Sequence, residues 1–236
     1  MHDWGEVSKS RAIWNQIVFY ELLCTFAKGR RWLDVGCGRG TDDPALVRIR
    51  CRIEEKMYVG IDVDMESLRD CTEANRVYGT SKALPFRDGS FDLVTSNMVF
   101  EHLDDPLAAL SEASRVLRKG GHLIIHTASS RHYMLLAGRV LSTILPEKTY
   151  TNIISRYTGR KKQDIFPTVY KANTLKKLSK LAAIAGFTDG ILAHLETPLD
   201  FPVGMRSFEQ CLRSLTPRSL KSTIVAIYPK RETTQI

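Results

Sequence analysis

The chain has 236 residues, 43% of them hydrophobic and 25% charged, and a net charge of +8. That length fits a single domain, 1–236, with a core of its own. The composition excludes a wholly disordered chain, a collagen and a coiled coil, and no apolar run reaches the ~18 residues a membrane span needs.

Taken in chain order, Arg11–Ala27 places Ile13, Ile17, Tyr20, Leu23, Cys24 and Ala27 at helical spacing, which predicts a helix within an N-terminal cap over 1–29. The apolar run Arg31–Val35 reads as a strand running into the glycine turn Gly36–Gly40, and Asp43-Pro44 as the next helix start. Met57–Ile61 is a second strand ending at Asp62, Met65–Asn75 a helix and Val77–Tyr78 a short third strand. Ser90–Ser96 is a fourth strand, Leu107–Leu117 a helix opened by Asp105-Pro106, and His122–Thr127 a fifth strand after the turn Lys119–Gly121. A helical segment, Tyr133–Leu145, is stopped by Pro146 and followed by the basic run Arg156–Lys162. The alternation then resumes: helix Thr174–Ala185, strand Phe187–Glu196, helix Ser207–Ser214, strand Ser222–Tyr228. Strands alternating with helices at this spacing predict an α/β fold on a mostly parallel sheet.

The glycine turn carries the first chemical signal. Gly36, Gly38 and Gly40 follow an apolar strand, where the backbone must turn sharply and can approach a ligand closely. Their G-x-G-x-G spacing departs from the G-x-G-x-x-G of dinucleotide sites. Asp34 just before the turn repels phosphate and attracts an ammonium group, which fits a cradle for a zwitterionic amino-acid end; the alternative is a tight structural turn. Asp62 ends the next strand, at the sheet edge where open α/β sheets bind ligands and where an acid takes ribose hydroxyls. The alternative for Asp62 is a solvated loop acid beside Asp64 and Glu66.

Six ordered stretches carry a resemblance: Leu33–Gly40, Val59–Asp62, Ala83-Leu-Pro-Phe86, Ser90–Val94, Phe100-Glu-His-Leu103 and Arg115–Gly121. With them the chain resembles the class I S-adenosylmethionine-dependent methyltransferases, of the methyltransferase-11 or ubiquinone/menaquinone-methyltransferase-like type, over about residues 30–128. The resemblance implies a Rossmann-like, seven-stranded, mostly parallel sheet with a helical substrate-side insert, 129–170, after the fifth strand. It implies that Asp34, Gly36, Cys37, Gly38 and Gly40 hold the methionine end of S-adenosyl-L-methionine and that Asp62 binds its ribose. Val63 then lies against the adenine, Ser81, Ala83 and Leu84 border it, and Asn97 lines the sulfonium side. At Thr80 the chain departs from the family, whose members often carry an Asp there to receive the adenine amino group; the Thr80 hydroxyl remains an acceptor.

Methyl transfer is an in-line displacement in which alignment contributes most, and a base is needed only where the acceptor must lose a proton. His102, after the fourth strand on the cofactor edge, is the candidate, with packing against the helix start as its alternative. Glu101 reads as structural or solvated, and His126 as a neutral core histidine. His132 and Tyr133, which open the insert, and Tyr170, with Phe166 and Pro167, are candidate substrate contacts or ordinary surface and packing residues. Tyr133–Leu145 fits a lid over an apolar or amphiphilic substrate, a membrane-surface helix, or a helix packed on its own core.

Residues 1–130 hold 17 basic and 19 acidic residues, whereas 131–236 hold 17 basic and 7 acidic. That asymmetry points to an acidic partner: an anionic small molecule, a phosphorylated lipid, a membrane face or nucleic acid. The five cysteines are scattered without a Cys-x-x-Cys pair, which predicts neither a disulfide framework nor a metal site, and a cytoplasmic setting. The beginning of the chain reads without a secretory signal. A small-molecule methyltransferase is the leading expectation. A nucleic-acid methyltransferase lacks its Asn/Asp-Pro-Pro-aromatic motif here, where Ser96–Val99 stands instead, and a non-catalytic cofactor-binding module is the third reading.

Overall fold

The protein is described by a computed structural model. It describes residues 14–39, 57–71, 75–133, 168–195 and 214–231, with single positions at 135, 144 and 211. The elements are α1 (Trp14–Phe26), β1 (Arg31–Val35), β2 (Met57–Asp62), α2 (Met65–Asp70), β3 (Arg76–Tyr78), β4 (Phe91–Asn97), α3 (Pro106–Val116), β5 (Leu117–Ala128), α4 (Leu175–Ile184), β6 (Ile191–Leu195) and β7 (Thr223–Pro229). The strands form one seven-stranded sheet in the order β3-β2-β1-β4-β5-β7-β6. β1 pairs in parallel with β2 and β4, β2 with β3, and β4 with β5, while β7 runs antiparallel to β5 and β6. The expected α/β architecture with a mostly parallel sheet is present.

Both faces of the sheet are covered. On one, α1 lays Phe19, Leu23 and Ala27 over Trp32, Tyr58, Leu93, Ile124 and Ile227. On the other, α3 contributes Leu110, Ala113 and Val116, and α4 contributes Leu178 and Ala182, over Leu33, Val94, Leu123 and Ile125. Each large side chain so buried stabilises the fold by roughly 1.5–3 kcal/mol. The helix starts follow local chemistry. Asp105 accepts from the Ala108 N–H with Pro106 at the first helical position, and Thr174 accepts from the Lys177 N–H.

Several boundaries move. The helix expected to reach Asn75 ends at Asp70, where the Cys71 N–H bonds back to Leu68. The fifth strand begins at Leu117 rather than His122, because Phe91 pairs with Leu117 and a register shift before Leu93 absorbs the Gly120–Gly121 turn. The sixth strand begins at Ile191; Phe187 forms only an isolated bridge to Lys230. Gly40, most of the 129–170 insert, including Arg156–Lys162 and Phe166-Pro167, and most of Ser207–Ser214 lie outside the described residues. No helix among the described residues is long and apolar enough to cross a membrane.

Candidate active site at the carboxyl edge of the sheet

β1, β2 and β4 all point their carboxyl ends at one cavity of about 420 Å3, within the roughly 300–1,000 Å3 of small-molecule sites. Its walls come from the glycine turn (Gly36, Gly38), the end of β2 (Asp62, Val63, Asp64), the segment Gly79–Lys82, and the loop after β4 (Met98, Val99, His102, Leu103, Asp104).

Gly36 adopts φ +78°, and a side chain there would collide with Val99 across the turn. Gly38 also has a positive φ, and its N–H donates to Asp62 Oδ2 at 2.8 Å. The other oxygen of Asp62 accepts from the Asp64 N–H at 2.9 Å. One carboxylate thus ties the glycine turn of β1 to the loop after β2. A carboxylate has about four acceptor sites, so capacity remains on the cavity side for a ligand's hydroxyls.

Asp34 sits differently. Its Oδ1 accepts from Thr95 Oγ1 at 2.6 Å and its Oδ2 from the Tyr58 hydroxyl at 3.2 Å. Thr95 in turn accepts from the Trp32 indole N–H at 2.8 Å. The Asp34 carboxylate is therefore part of a half-buried relay beneath the turn and is not among the walls of the cavity. Two hydroxyls thus hold the Asp34 carboxylate beneath the turn. Cys37 turns its side chain towards β2. Its Sγ packs where a Gly60 side chain would stand, and burial first, then the Asp34 carboxylate, push its thiol up.

Of the residues expected at the site, Gly36, Gly38, Asp62, Val63, Ser81 and His102 line the cavity. Ala83, Leu84 and Asn97 do not. Leu84 is buried with its N–H on Glu112 Oε2 (2.7 Å), and the Asn97 carboxamide faces His126 Nδ1 at 2.8 Å. His132 and Tyr133 stack edge-on with ring centroids 4.6 Å apart, and burial pulls His132 down to about 4. Tyr170 takes φ +50° while its N–H bonds the Glu101 carbonyl. None of these three reaches the cavity.

Other lining residues carried no sequence signal. Lys82 and Asp104 pair at 3.0 Å across the mouth, and Lys171 Nζ donates to the Asp104 carbonyl at 2.7 Å. Met98 turns the chain with φ +56°, and its N–H bonds the His126 carbonyl at 2.7 Å. Below the loop Glu101 is buried. Its Oε2 accepts from Thr127 Oγ1, which accepts from Asn173 Nδ2, both at 2.7 Å. Burial raises the Glu101 carboxyl. Among the described residues, no cluster of three His, Cys, Asp or Glu side chains is placed to hold a metal ion.

Residues 33–125 match the family model described as a methyltransferase domain. This stretch of the chain is similar to a methyltransferase domain. The chain is 35% identical over 117 residues to an uncharacterised methyltransferase of Schizosaccharomyces pombe, covering 43% of this chain and 41% of that protein. It is 33% identical over 119 residues to a demethylmenaquinone methyltransferase of Staphylococcus aureus, covering 48% of each. The chain thus spans less than half the length of these curated relatives. In fold, an Archaeoglobus fulgidus SAM-dependent methyltransferase superposes with TM-score 0.57 at 18% identity, covering 96% of this chain and 97% of that one. A second such structure, from Mesorhizobium loti, superposes with TM-score 0.58 at 12% identity, covering 92% and 98%.

Proposed function

We propose that the protein transfers the methyl group of S-adenosylmethionine to a small-molecule acceptor. The observation that carries the reading is the cavity bounded by Gly36, Gly38 and the Asp62 carboxylate at the end of β2. These residues fit the cofactor. The Gly36 and Gly38 backbone borders the cavity and is available to its amino-acid end, and Asp62 keeps acceptor sites for its ribose hydroxyls. Val63, 60% exposed, offers an apolar flank for the base, with Ser81 opposite. When bound, the cofactor supplies an electrophilic methyl on a cationic sulfur; the chain's task is to position it and the nucleophile.

The relatives named for demethylmenaquinone methylation and ubiquinone biosynthesis support a small-molecule acceptor over a nucleic acid. His132, Tyr133 and Tyr170 are assigned to the acceptor side, away from the cofactor cavity. Calorimetry with S-adenosylmethionine and S-adenosylhomocysteine tests the cofactor. Label transfer from S-adenosylmethionine into the small-molecule fraction of a cell extract tests the reaction. Label appearing only in nucleic acid overturns the acceptor class.

A further inference from the structure

One wall of the cavity is held from outside the cavity. Between the end of β3 at Tyr78 and the start of β4 at Phe91 the chain carries no helix or strand, and Gly79–Lys82, at the start of this stretch, line the cavity. Such a stretch has no ladder of its own to fix its path, so its backbone groups need partners elsewhere. The Gly79 N–H bonds the Asp62 carbonyl at 2.9 Å. The next long-range anchor is Leu84, two residues past Lys82, and there the partners come from α3.

Arg115, in the last turn of α3, engages all five of its N–H groups around this stretch. Nη2 donates to the Leu84 carbonyl at 2.9 Å and Nη1 to the Phe86 carbonyl at 2.8 Å. Nε and Nη2 donate to the two oxygens of Glu112 at 2.7 and 2.8 Å, and Nη1 to Asp88 at 2.8 Å. Glu112 Oε2 accepts in addition from the Leu84 N–H at 2.7 Å. Asp88 is 81% exposed, so its pair with Arg115 contributes little. The guanidinium holds the Glu112 carboxyl below its ordinary range, which keeps it a charged acceptor.

Leu84 is thereby fixed in two ways. Its side chain is buried in the core beneath α3, but apolar burial is non-directional and does not aim the backbone. With its N–H and its C=O both bonded to one side-chain pair on α3, the peptide planes on either side of Leu84 are set. The plane before it is shared with Ala83, whose N–H closes a turn on the Thr80 carbonyl at 3.2 Å. The aim of Leu84 is thus passed to Thr80–Lys82, which form one wall of the cavity while Val63 belongs to another.

We propose that Glu112 and Arg115 are positioning residues for the cofactor's base: from outside the cavity they set the gap between the Thr80–Lys82 wall and Val63, and with it the preference for an adenine-bearing ligand. The inference rests on the reading above that S-adenosylmethionine occupies this cavity. Neither residue lines the cavity, so the effect travels through Leu84 and the turn that joins it to Thr80. A gap too wide by about 0.5–1 Å forfeits roughly a quarter to a half of the dispersion contact with a planar base. The amino-acid and ribose ends of the ligand, assigned to Gly36, Gly38 and Asp62 on other strands, do not depend on that gap.

Calorimetry on the full chain compares S-adenosylhomocysteine with S-ribosylhomocysteine, which keeps the amino acid and the ribose and lacks the base. Arg115→Lys keeps the charge and loses the fork. It should weaken S-adenosylhomocysteine about tenfold and S-ribosylhomocysteine less than about twofold. Glu112→Gln keeps an acceptor for the Leu84 N–H and loses the bond from Nε. It should show the same selectivity at about threefold, and it carries the test where Arg115→Lys does not fold. Asp88→Asn, at the exposed end of the network, should leave both affinities unchanged. Thr174→Ala removes the cap of α4 and lowers the melting temperature, yet should leave the ratio of the two affinities at its wild-type value. Equal losses for the two ligands in Arg115→Lys or Glu112→Gln, no loss for either, or a changed ratio in Thr174→Ala overturns the assignment. Wild-type protein that binds the two ligands equally well also overturns it, because the base is then not recognised. Wild-type protein that binds neither overturns the cofactor reading itself.

Discussion

The carboxyl edge of the sheet treats polar groups in two opposite ways. At β2, the Asp62 carboxylate opens into the cavity, with backbone N–H groups of two loops as its protein donors. After β4 and on β5, Glu101, His126, Thr127 and Asn173 are buried, with Glu101, Thr127 and Asn173 bonded in a chain and His126 bonded to the half-buried Asn97. The difference teaches where charge is tolerated. A charged acceptor stays where solvent or ligand can reach it, and a closed strand end keeps only groups that can be uncharged.

The largest way to break this comparison is acid. His126 has a folded pKa of about 4 against an ordinary 6.5. The unfolded chain binds the extra proton between those values, so stability is complete above pH 6.5 and is lost as pH falls through about 4. The loss is about 3 kcal/mol for this group. Urea denaturation between pH 7 and 4 should show it, and His126→Phe should flatten that window. Unchanged pH dependence in the variant would mean the ring is not held neutral by burial.

Glu101 belongs to the same closed region, with the opposite sign. Burial raises its carboxyl above the ordinary 4.5, so its contribution is present below that pH and declines as pH rises through the folded value. Glu101→Gln keeps the acceptor for Thr127 and removes the ionisation. It should make the protein more stable at pH 8 than the wild type by about 1 kcal/mol, measured by the same denaturation. A less stable variant would show that the carboxylate itself is needed.

The open region is probed by Asp62→Ala, which should weaken S-adenosylhomocysteine binding by about 10–100-fold in calorimetry through loss of charged hydrogen bonds. Because Asp62 also ties Gly38 to Asp64, part of that loss should persist with adenosine-free ligands such as methionine. An effect confined to ribose-bearing ligands would assign Asp62 to the ligand alone.

How far the sequence reveals these regions differs between them. The glycine turn, Asp62 and Val63 are legible because they are local: strand, turn and acid follow one another at fixed spacing, and the turn needs positive φ at Gly36 and Gly38. Seven strands are legible for the same reason, although their ends shift where a backbone bond or register slip decides them, as at Cys71 and Gly120. Long-range partners are not legible. Nothing near Asp34 announces that Thr95, 61 residues on, and Tyr58 occupy its carboxylate. The Lys82–Asp104 pair at the mouth and the Glu101–Thr127–Asn173 relay likewise join segments 22 to 46 residues apart. His126 reads correctly as a buried histidine, since it lies in an apolar strand, but that its Nε2 has no partner among the described residues shows only in three dimensions.

The smallest expected effect sharpens the open region. Thr80 lines the cavity where relatives of the resembled type often carry an aspartate, and its hydroxyl already accepts from the Lys82 N–H at a long 3.3 Å. A hydroxyl spent on its own loop is a weak partner for an adenine amino group. Thr80→Asp supplies two further acceptor positions at the same place, next to Lys82, whose ammonium pairs with Asp104 and can offset the added charge. A net hydrogen bond adds about 0.5–1.5 kcal/mol, so affinity for S-adenosylhomocysteine should rise about 2–10-fold. The gain should vanish for the inosine analogue, which presents a carbonyl in place of the amino group. Calorimetry of the two ligands on both proteins reads the difference directly. An equal gain for both would trace it to electrostatic attraction of the cationic end of the ligand. No gain for either would place the base away from Thr80, against Asp104 on the opposite lip of the cavity.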